Sequence, residues 1–444
     1  MENVYVVKGG RRLSGEIKVS GAKNAALKVM IASLFFDEPV QIENVPDIND
    51  VHEVVHIIKE LGGSADRIDK NIYRISGKNL EKNKISLLHA GKVRVSFMFL
   101  APLLFRFEEC FIPNPGGCRI GARPIDRIIR GLRSLGVEAE YDSSTGYYRF
   151  SRRGKIGGFY RFEKPSHTGT ETLIMLAAFA DSDVVLEGTA LEPEIDDLIK
   201  VFASSGVWIK RSKEDPTRIH ISNAQKKFKT NLKIVLSGDR NEAVSYAVLG
   251  VLLGEKINVK GVKVERYSRF LQKLRQAGGR FRELSEDTVV FENSADLVPV
   301  DIQTQPFPGF MTDWQPLWAV LMTQAQGVSH ITEWVFENRF GYVPELRKLG
   351  ADIDFIKTKR QDYEKFHFNL QPDKEYYQTI RIKGKTDFHN GVLKVSDLRA
   401  GATLVIASLL AKGESVIEGA DIIERGYEDF VQRLSSLGAD IIKK

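Results

Sequence analysis

The sequence predicts an α/β protein of two domains, each built from three βαβαββ units. Three observations carry this reading. A helix-ending phrase centred on glycine returns six times, a more apolar helix returns with it, and the length of 444 residues exceeds one ordinary core.

The phrase reads Lys-Glu-Leu-Gly at 59–62 and Arg-Ser-Leu-Gly at 133–136, and it closes the chain as Ser-Ser-Leu-Gly at 435–438. Its glycines are Gly62, Gly136, Gly206, Gly278, Gly350 and Gly438, at steps of 74, 70, 72, 72 and 88. Each follows an amphipathic helix. Val51, Val54, Val55, Ile58 and Leu61 share one face, as do Ile125, Ile128, Ile129, Leu132 and Leu135. Glycine after a helix tolerates the left-handed backbone that ends it. An alternating strand follows in most copies.

The second helix falls at 25–36, 95–105, 173–180, 243–253, 317–325 and 400–411. It is apolar nearly all round, so it belongs inside. Short turns at 36–39, 180–183 and 411–414 end it before the next strand. The domain boundaries are expected near 20–22 and 230–235. Residues 22–232 then form one domain, and 1–21 with 233–444 form the other.

Chemistry gathers where these apolar helices begin. Lys23 precedes the first and Arg94 opens the second; Ser166, Thr168 and Thr170 precede the third. Asp239-Arg240 opens the fourth, Thr312-Asp313 the fifth, and Ser396-Asp397-Leu398-Arg399 the sixth. A helix start offers free N–H groups and a positive dipole end. Capping explains the Ser, Thr and Asp residues. It does not explain Lys23, Arg94, Arg240 and Arg399, because cations are unfavourable at that end. We read these basic residues as a site for a small, multiply charged anion.

The composition, 43% apolar and 27% charged, is that of a globular protein. No apolar run approaches the roughly 18 residues that span a bilayer. The start, Met-Glu-Asn-Val-Tyr-Val-Val-Lys, lacks a signal-peptide pattern, so a cytoplasmic location is expected. Cys110 and Cys118 are too few for a disulfide framework, and no Cys/His cluster has zinc-ligand spacing. Neither a metal nor a cofactor is expected. The net charge of +6 allows nucleic-acid binding. No basic block alternates with aromatics, however, and we read a solvated surface with a basic pocket and no membrane or nucleic-acid partner.

Residues 113–126 read Pro-Asn-Pro-Gly-Gly-Cys-Arg-Ile-Gly-Ala-Arg-Pro-Ile-Asp. Glycines on both sides of Cys118 make a mobile loop, and Pro124 suits the start of a helix with Asp126 in its first turn. Arg119 and the nearby helix start favour the thiolate of Cys118. Taken alone, these residues leave a catalytic and a structural reading of the thiol open. Cys110, in the strand Glu-Glu-Cys-Phe-Ile, reads as structural.

The loop Pro-Gly-Gly-Cys-Arg-Ile-Gly-Ala-Arg-Pro closely resembles the lid of the bacterial UDP-N-acetylglucosamine 1-carboxyvinyltransferases, within the enolpyruvyl transferase family. So do Gly-Ala-Lys-Asn-Ala-Ala-Leu at 21–27, Glu-Pro-Glu-Ile at 192–195 and Val-Phe-Glu-Asn-Arg-Phe at 335–340. Val-Ser-Asp-Leu-Arg-Ala at 395–400 and Glu-Arg-Gly-Tyr-Glu at 424–428 complete a match that runs end to end. The resemblance implies two inside-out α/β barrels of three units each, with the active site in the cleft between them. It implies transfer of the enolpyruvyl group of phosphoenolpyruvate to the 3′-hydroxyl of UDP-N-acetylglucosamine, the first committed step of peptidoglycan synthesis. It also implies sensitivity to fosfomycin, which marks members with Cys in this loop.

By the same resemblance, Lys23, Asn24, Arg94, Arg123, Arg399 and Arg425 hold phosphoenolpyruvate. Guanidinium groups suit its phosphate and carboxylate. Cys118 resembles the acid that protonates C3, Asp313 the group that takes the hydroxyl proton, and Asp397 a second carboxylate near the reacting carbons. A helix cap, or an ion-pair partner of Lys23, is the alternative for Asp397. Lys23 is counted with the catalytic set. Asn24 and Asp313 are expected at the amino sugar. Arg94, Arg123, Pro124, Ile125, Asp126, Arg127, Lys164, Ser166, Thr168 and Val335 are expected around the rest of the nucleotide.

Two positions depart from the family pattern. Arg127 stands where Leu is common, and Ser-His-Thr-Gly-Thr-Glu at 166–171 replaces Ser-Val-Gly-Ala-Thr-Glu. His167 reads as a surface or hydrogen-bonding residue. The rivals are a transferase acting on shikimate 3-phosphate, a relative modifying another nucleotide, and a non-catalytic repeat scaffold or RNA-end-binding relative. The first family lacks the cysteine loop. A scaffold has no use for a thiol beside an arginine cluster.

Overall fold

The computed structural model describes residues 3–116, 121, 124–222, 228–229, 231–371 and 373–444. Cys118 and Arg123 lie outside the described residues. The chain divides into two compact units. One holds residues 21–116 and 124–237, the other 3–20 and 238–444 together with Gly121. Each has its own apolar core.

The apolar helices appear as Lys23–Ala32, Leu100–Arg106, His167–Ala177, Arg240–Leu253, Gln315–Thr323 and Leu398–Leu410. Burying a Leu, Ile or Val side chain stabilises by roughly 1.5–3 kcal/mol. The helix Leu398–Leu410, buried from end to end except for Leu410, is therefore held mainly by the core around it. The second helix differs from expectation: its first half, Arg94–Phe99, is a 3-10 helix. Pro102 lacks the N–H that a continuous α-helix would bond to residue 98, so the α-helix starts afresh at Leu100, with Pro102 in its first turn, where no intrahelical partner is called for. The third starts earlier than its apolar pattern because Ser166 caps it, accepting from Gly169 N at 3.2 Å.

The amphipathic helices are Asn49–Glu60, Asp126–Ser134, Pro193–Ser204, Ser268–Gln276, Val343–Lys348 and Phe430–Ser436. The six repeated glycines that end them have φ between 79° and 102°, the left-handed conformation.

Among the described residues the strands form six small sheets with one shared order. The strand after each apolar helix and the strand after each amphipathic helix flank a third, which is antiparallel to both. In the first sheet these are Val40–Glu43, Ser64–Asp69 and, between them, Ile72–Ser76. Five sheets add a parallel edge strand; in the remaining one it shrinks to the bridge between Lys84 and Phe111. The chain swaps edges where it passes between units. Leu13–Lys18 pairs with Gly254–Lys260, and Lys233–Val235 pairs with Val40–Glu43. The N-terminal Val4–Lys8 supplies the middle strand of the last sheet, with Val4 opposite Glu418 and Lys8 opposite Asp440. Among the described residues, no helix is long and apolar enough to cross a membrane.

Candidate active site

In the unit of residues 238–444, three apolar helices bring their first turns together. Asp239 caps Arg240–Leu253, accepting from Asn241 N at 2.7 Å and Glu242 N at 3.1 Å. Asp397 caps Leu398–Leu410, accepting from Arg399 N at 3.0 Å and Ala400 N at 3.1 Å. Asp313 sits in the 3-10 turn Thr312–Trp314 that leads into Gln315–Thr323. It is tied to the neighbouring helix, because Asn241 Nδ2 donates to Asp313 Oδ2 at 3.3 Å while Asn241 Oδ1 accepts from Trp314 Nε1 at 2.8 Å.

Cations stand among these carboxylates. Arg339 Nη2 donates to Asp313 Oδ1 at 2.7 Å and lies 3.9 Å from Asp397 Oδ1. Arg399 is buried, with Nη2 3.7 Å from Asp239 Oδ2 and its guanidinium 4.8 Å from the Tyr427 ring centroid. Its Nε and Nη1 are buried yet make no hydrogen bond among the described residues. A buried guanidinium with N–H groups left over is costly unless a ligand accepts from them. Phosphate and carboxylate oxygens suit that role. Arg240 lies over Phe307 at 4.9 Å. Arg425, half-buried, follows the helix Ala420–Ile423.

Reading helix starts did not reach Arg339 or Glu333. Arg339 lies in the 335–340 phrase but not at a helix start, and its partners are far away in sequence. Glu333 is fully buried. It accepts from Thr304 Oγ1 at 2.9 Å and Thr312 Oγ1 at 2.8 Å, and from the N–H groups of Val335 at 2.8 Å and Phe336 at 3.0 Å. Burial raises its pKa, against the opposing pull of the Thr312 hydrogen bond and the Arg339 charge.

In the unit of residues 21–237, Lys23 is the first residue of its helix, and its Nζ is 2.7 Å from Asp50 Oδ2. Asn24 follows, half-buried, and Arg94 opens its 3-10 turn, also half-buried. Pro124 and Asp126 are exposed, whereas Ile125 is part of the core. Arg127 and Lys164 are half-buried cations. Burial lowers both pKa values; Arg130 adds to the effect at Arg127, and Arg127 adds to it at Lys164. Thr168 sits in the first turn after the Ser166 cap. His167 Nε2 is 3.1 Å from Oε1 of Glu171, which is buried and also paired with Lys28 Nζ at 3.2 Å. Burial opposes charging His167, but the Glu171 charge holds its pKa above the usual histidine range. Val335, in the other unit, is half-buried. Cys110 is buried, with its Sγ 3.9 Å from Leu100 O, and burial pushes its pKa up strongly. Among the described residues, no group of His, Cys, Asp and Glu could hold a metal ion.

The family model described as EPSP synthase (3-phosphoshikimate 1-carboxyvinyltransferase) matches residues 7–434. UDP-N-acetylglucosamine 1-carboxyvinyltransferase of Brucella ovis is 35% identical over 451 residues, covering 99% of each chain, and that of Brucella canis matches equally. Among solved structures, the enolpyruvyl transferase NikO from Streptomyces tendae superposes with a TM-score of 0.87 at 23% identity, covering 100% of this chain and 99% of NikO. EPSP synthase from Acinetobacter baumannii gives a TM-score of 0.74 at 14% identity, covering 100% of both chains. At these identities the two structures speak for the fold alone.

Proposed function

The chain belongs to the enolpyruvyl transferase family, and from that premise we propose that it moves the enolpyruvyl group of phosphoenolpyruvate onto the 3′-hydroxyl of UDP-N-acetylglucosamine, releasing phosphate. The observation that carries this reading is the convergence of Asp239, Asp313 and Asp397 with Arg339 and the under-bonded Arg399. The spare N–H groups of Arg399 suit an anionic oxygen, and a carboxylate close by suits a neighbour that must lose a proton. The full-length likeness to UDP-N-acetylglucosamine 1-carboxyvinyltransferases supports the acceptor. The reaction would serve peptidoglycan synthesis in the cytoplasm. The finer fold reading is two inside-out barrels of three units each, with 22–232 as one domain and 1–21 with 233–444 as the other.

The chemistry is addition followed by elimination. The sugar hydroxyl attacks C2 while C3 gains a proton; phosphate then leaves and C3 loses a proton. In this reading Asp313 takes the hydroxyl proton and Cys118 supplies the proton to C3. Lys23, Arg94, Arg123, Arg399 and Arg425 hold the phosphate and carboxylate, and Asn24 and Asp313 orient the amino sugar. Asp397 acts as a carboxylate near the reacting carbons while capping its helix. Pro124, Ile125, Asp126, Arg127, Lys164, Ser166, Thr168 and Val335 line the acceptor. The test is phosphate release from phosphoenolpyruvate with either UDP-N-acetylglucosamine or shikimate 3-phosphate. Turnover with the first alone is expected. Equal release with both overturns the acceptor assignment.

A further inference from the structure

One hairpin departs from the rest. In four sheets the strand after the amphipathic helix joins its antiparallel neighbour through the short connections 70–71, 143–146, 212–218 and 286–287. Between Asp352–Ile356 and Thr379–Gly384 the chain instead makes an arm, 357–378, which accounts for the long step from Gly350 to Gly438.

The arm folds back onto the loop 333–337. Phe366, 0% exposed, packs with its ring 5.3 Å from Trp334 and 5.3 Å from Tyr376. Tyr363 and Phe368 complete a small aromatic core, separate from the main core of the unit. His367 N donates to Trp334 O at 2.8 Å, and Glu333 N donates to Gln378 O at 2.7 Å. Gln378 Nε2 donates to Glu337 O at 2.8 Å. The braced loop carries Val335 and Glu333, and Glu333 in turn holds Thr312 beside Asp313. It also borders Gly121, where an added methyl would stand 3.4 Å from Glu337 N.

A two-residue connection closes the equivalent hairpin elsewhere in this chain, at 286–287. The arm is therefore not needed to join its strands. Its aromatic core and its main-chain bonds meet the loop 333–337, while His367 Nε2 reaches Gln305 Oε1 at 3.2 Å, and that loop carries Val335, a proposed acceptor contact. We infer that the arm 357–378 is a positioning element for the sugar-nucleotide acceptor, acting through the loop 333–337. This rests on the functional reading above. The arm acts through the loop and sets where Val335 and Asp313 meet the acceptor.

The test uses the full chain with Phe366→Ala, and a second variant in which 358–377 is replaced by Asn-Gly, a turn suited to a two-residue hairpin. For Phe366→Ala the KM for UDP-N-acetylglucosamine should rise about tenfold, equivalent to about 1.4 kcal/mol of lost acceptor binding. The KM for phosphoenolpyruvate should stay within about twofold of wild type. The shortened arm should give a larger change in the same direction. Amide hydrogen exchange, read without substrate, should show lost protection at 333–337 and retained protection in Gln315–Thr323. Unchanged protection at 333–337, or an unchanged acceptor KM, overturns the inference. So does an equal rise in both KM values with loss of protection in Gln315–Thr323, which signals general destabilisation. If wild type does not turn over UDP-N-acetylglucosamine at all, the functional reading has failed, and the exchange data still decide whether the arm braces the loop.

Discussion

Arg339 Nη2 donates to Asp313 Oδ1 at 2.7 Å, with both residues in the unit that carries Arg399 and Asp397. The bond fixes one carboxylate oxygen and leaves the other turned towards Asn241. In the proposed function this pairing would orient Asp313 as the base before the substrate arrives.

Removing Arg339 should therefore weaken catalysis through Asp313. Asp313→Asn should lower kcat by about 100-fold or more, the usual worth of a general base. Arg339→Ala should lower it too and move the acid limb of the rate profile to higher pH, because losing a nearby cation favours the protonated carboxyl. A profile that falls in height without moving along the pH axis would argue against coupling between the two.

Cys118 should be the one thiol that reacts. Fosfomycin carries a phosphonate, which the cation cluster can hold, and an epoxide, which a thiolate opens. A single adduct on Cys118 is expected by peptide mass spectrometry. Cys110 should stay unmodified, being buried with its pKa pushed up. Cys118→Asp should keep transfer activity and lose the adduct, whereas Cys118→Ser should lose most activity near neutral pH. An adduct on Cys110, or full activity in the serine variant, would show that the acid is assigned wrongly.

Glu242 links stability to pH. Burial pushes its carboxyl up to about 7, against the pull of Arg433, whose Nη1 is 3.0 Å away. An acid with a raised folded pKa binds more protons folded than unfolded, so its contribution is full below the ordinary Glu range and is lost as pH rises through about 7. Between about pH 5 and pH 8 the stability of wild type relative to Glu242→Gln should fall, by at most roughly 3 kcal/mol. Urea denaturation at both pH values measures it. A difference independent of pH means that Arg433 keeps Glu242 ionised throughout.

The repeated glycines separate backbone strain from crowding. Gly438 has φ 97° and open space, the nearest atom to an added methyl being Arg12 O at 3.9 Å. Gly136 has φ 95°, but Lys155 O would stand 2.5 Å from the methyl. Gly438→Ala should cost about 1 kcal/mol, the price of a left-handed L-residue. Gly136→Ala should cost more, because a backbone carbonyl must also move. Equal losses by thermal or urea unfolding would show that the conformation alone sets the cost.

The features legible in the sequence are those encoded over a few residues. Helix ends at Gly62 and its five counterparts follow from the left-handed turn that glycine permits, and the apolar helices follow from their composition. Lys23, Arg94 and Arg399 stood out because a cation at a helix start is out of place there. The pairings that make a site depend on distant segments, and tertiary structure alone decided them. Val4–Lys8 completes the last sheet from the other end of the chain, and the edge strands Leu13–Lys18 and Lys233–Val235 exchange places. Arg339 meets Asp313, and Phe366 meets Trp334, across gaps that no local period marks. A local pattern can report which face of an element is apolar; which partner covers that face is set only when the core closes around it.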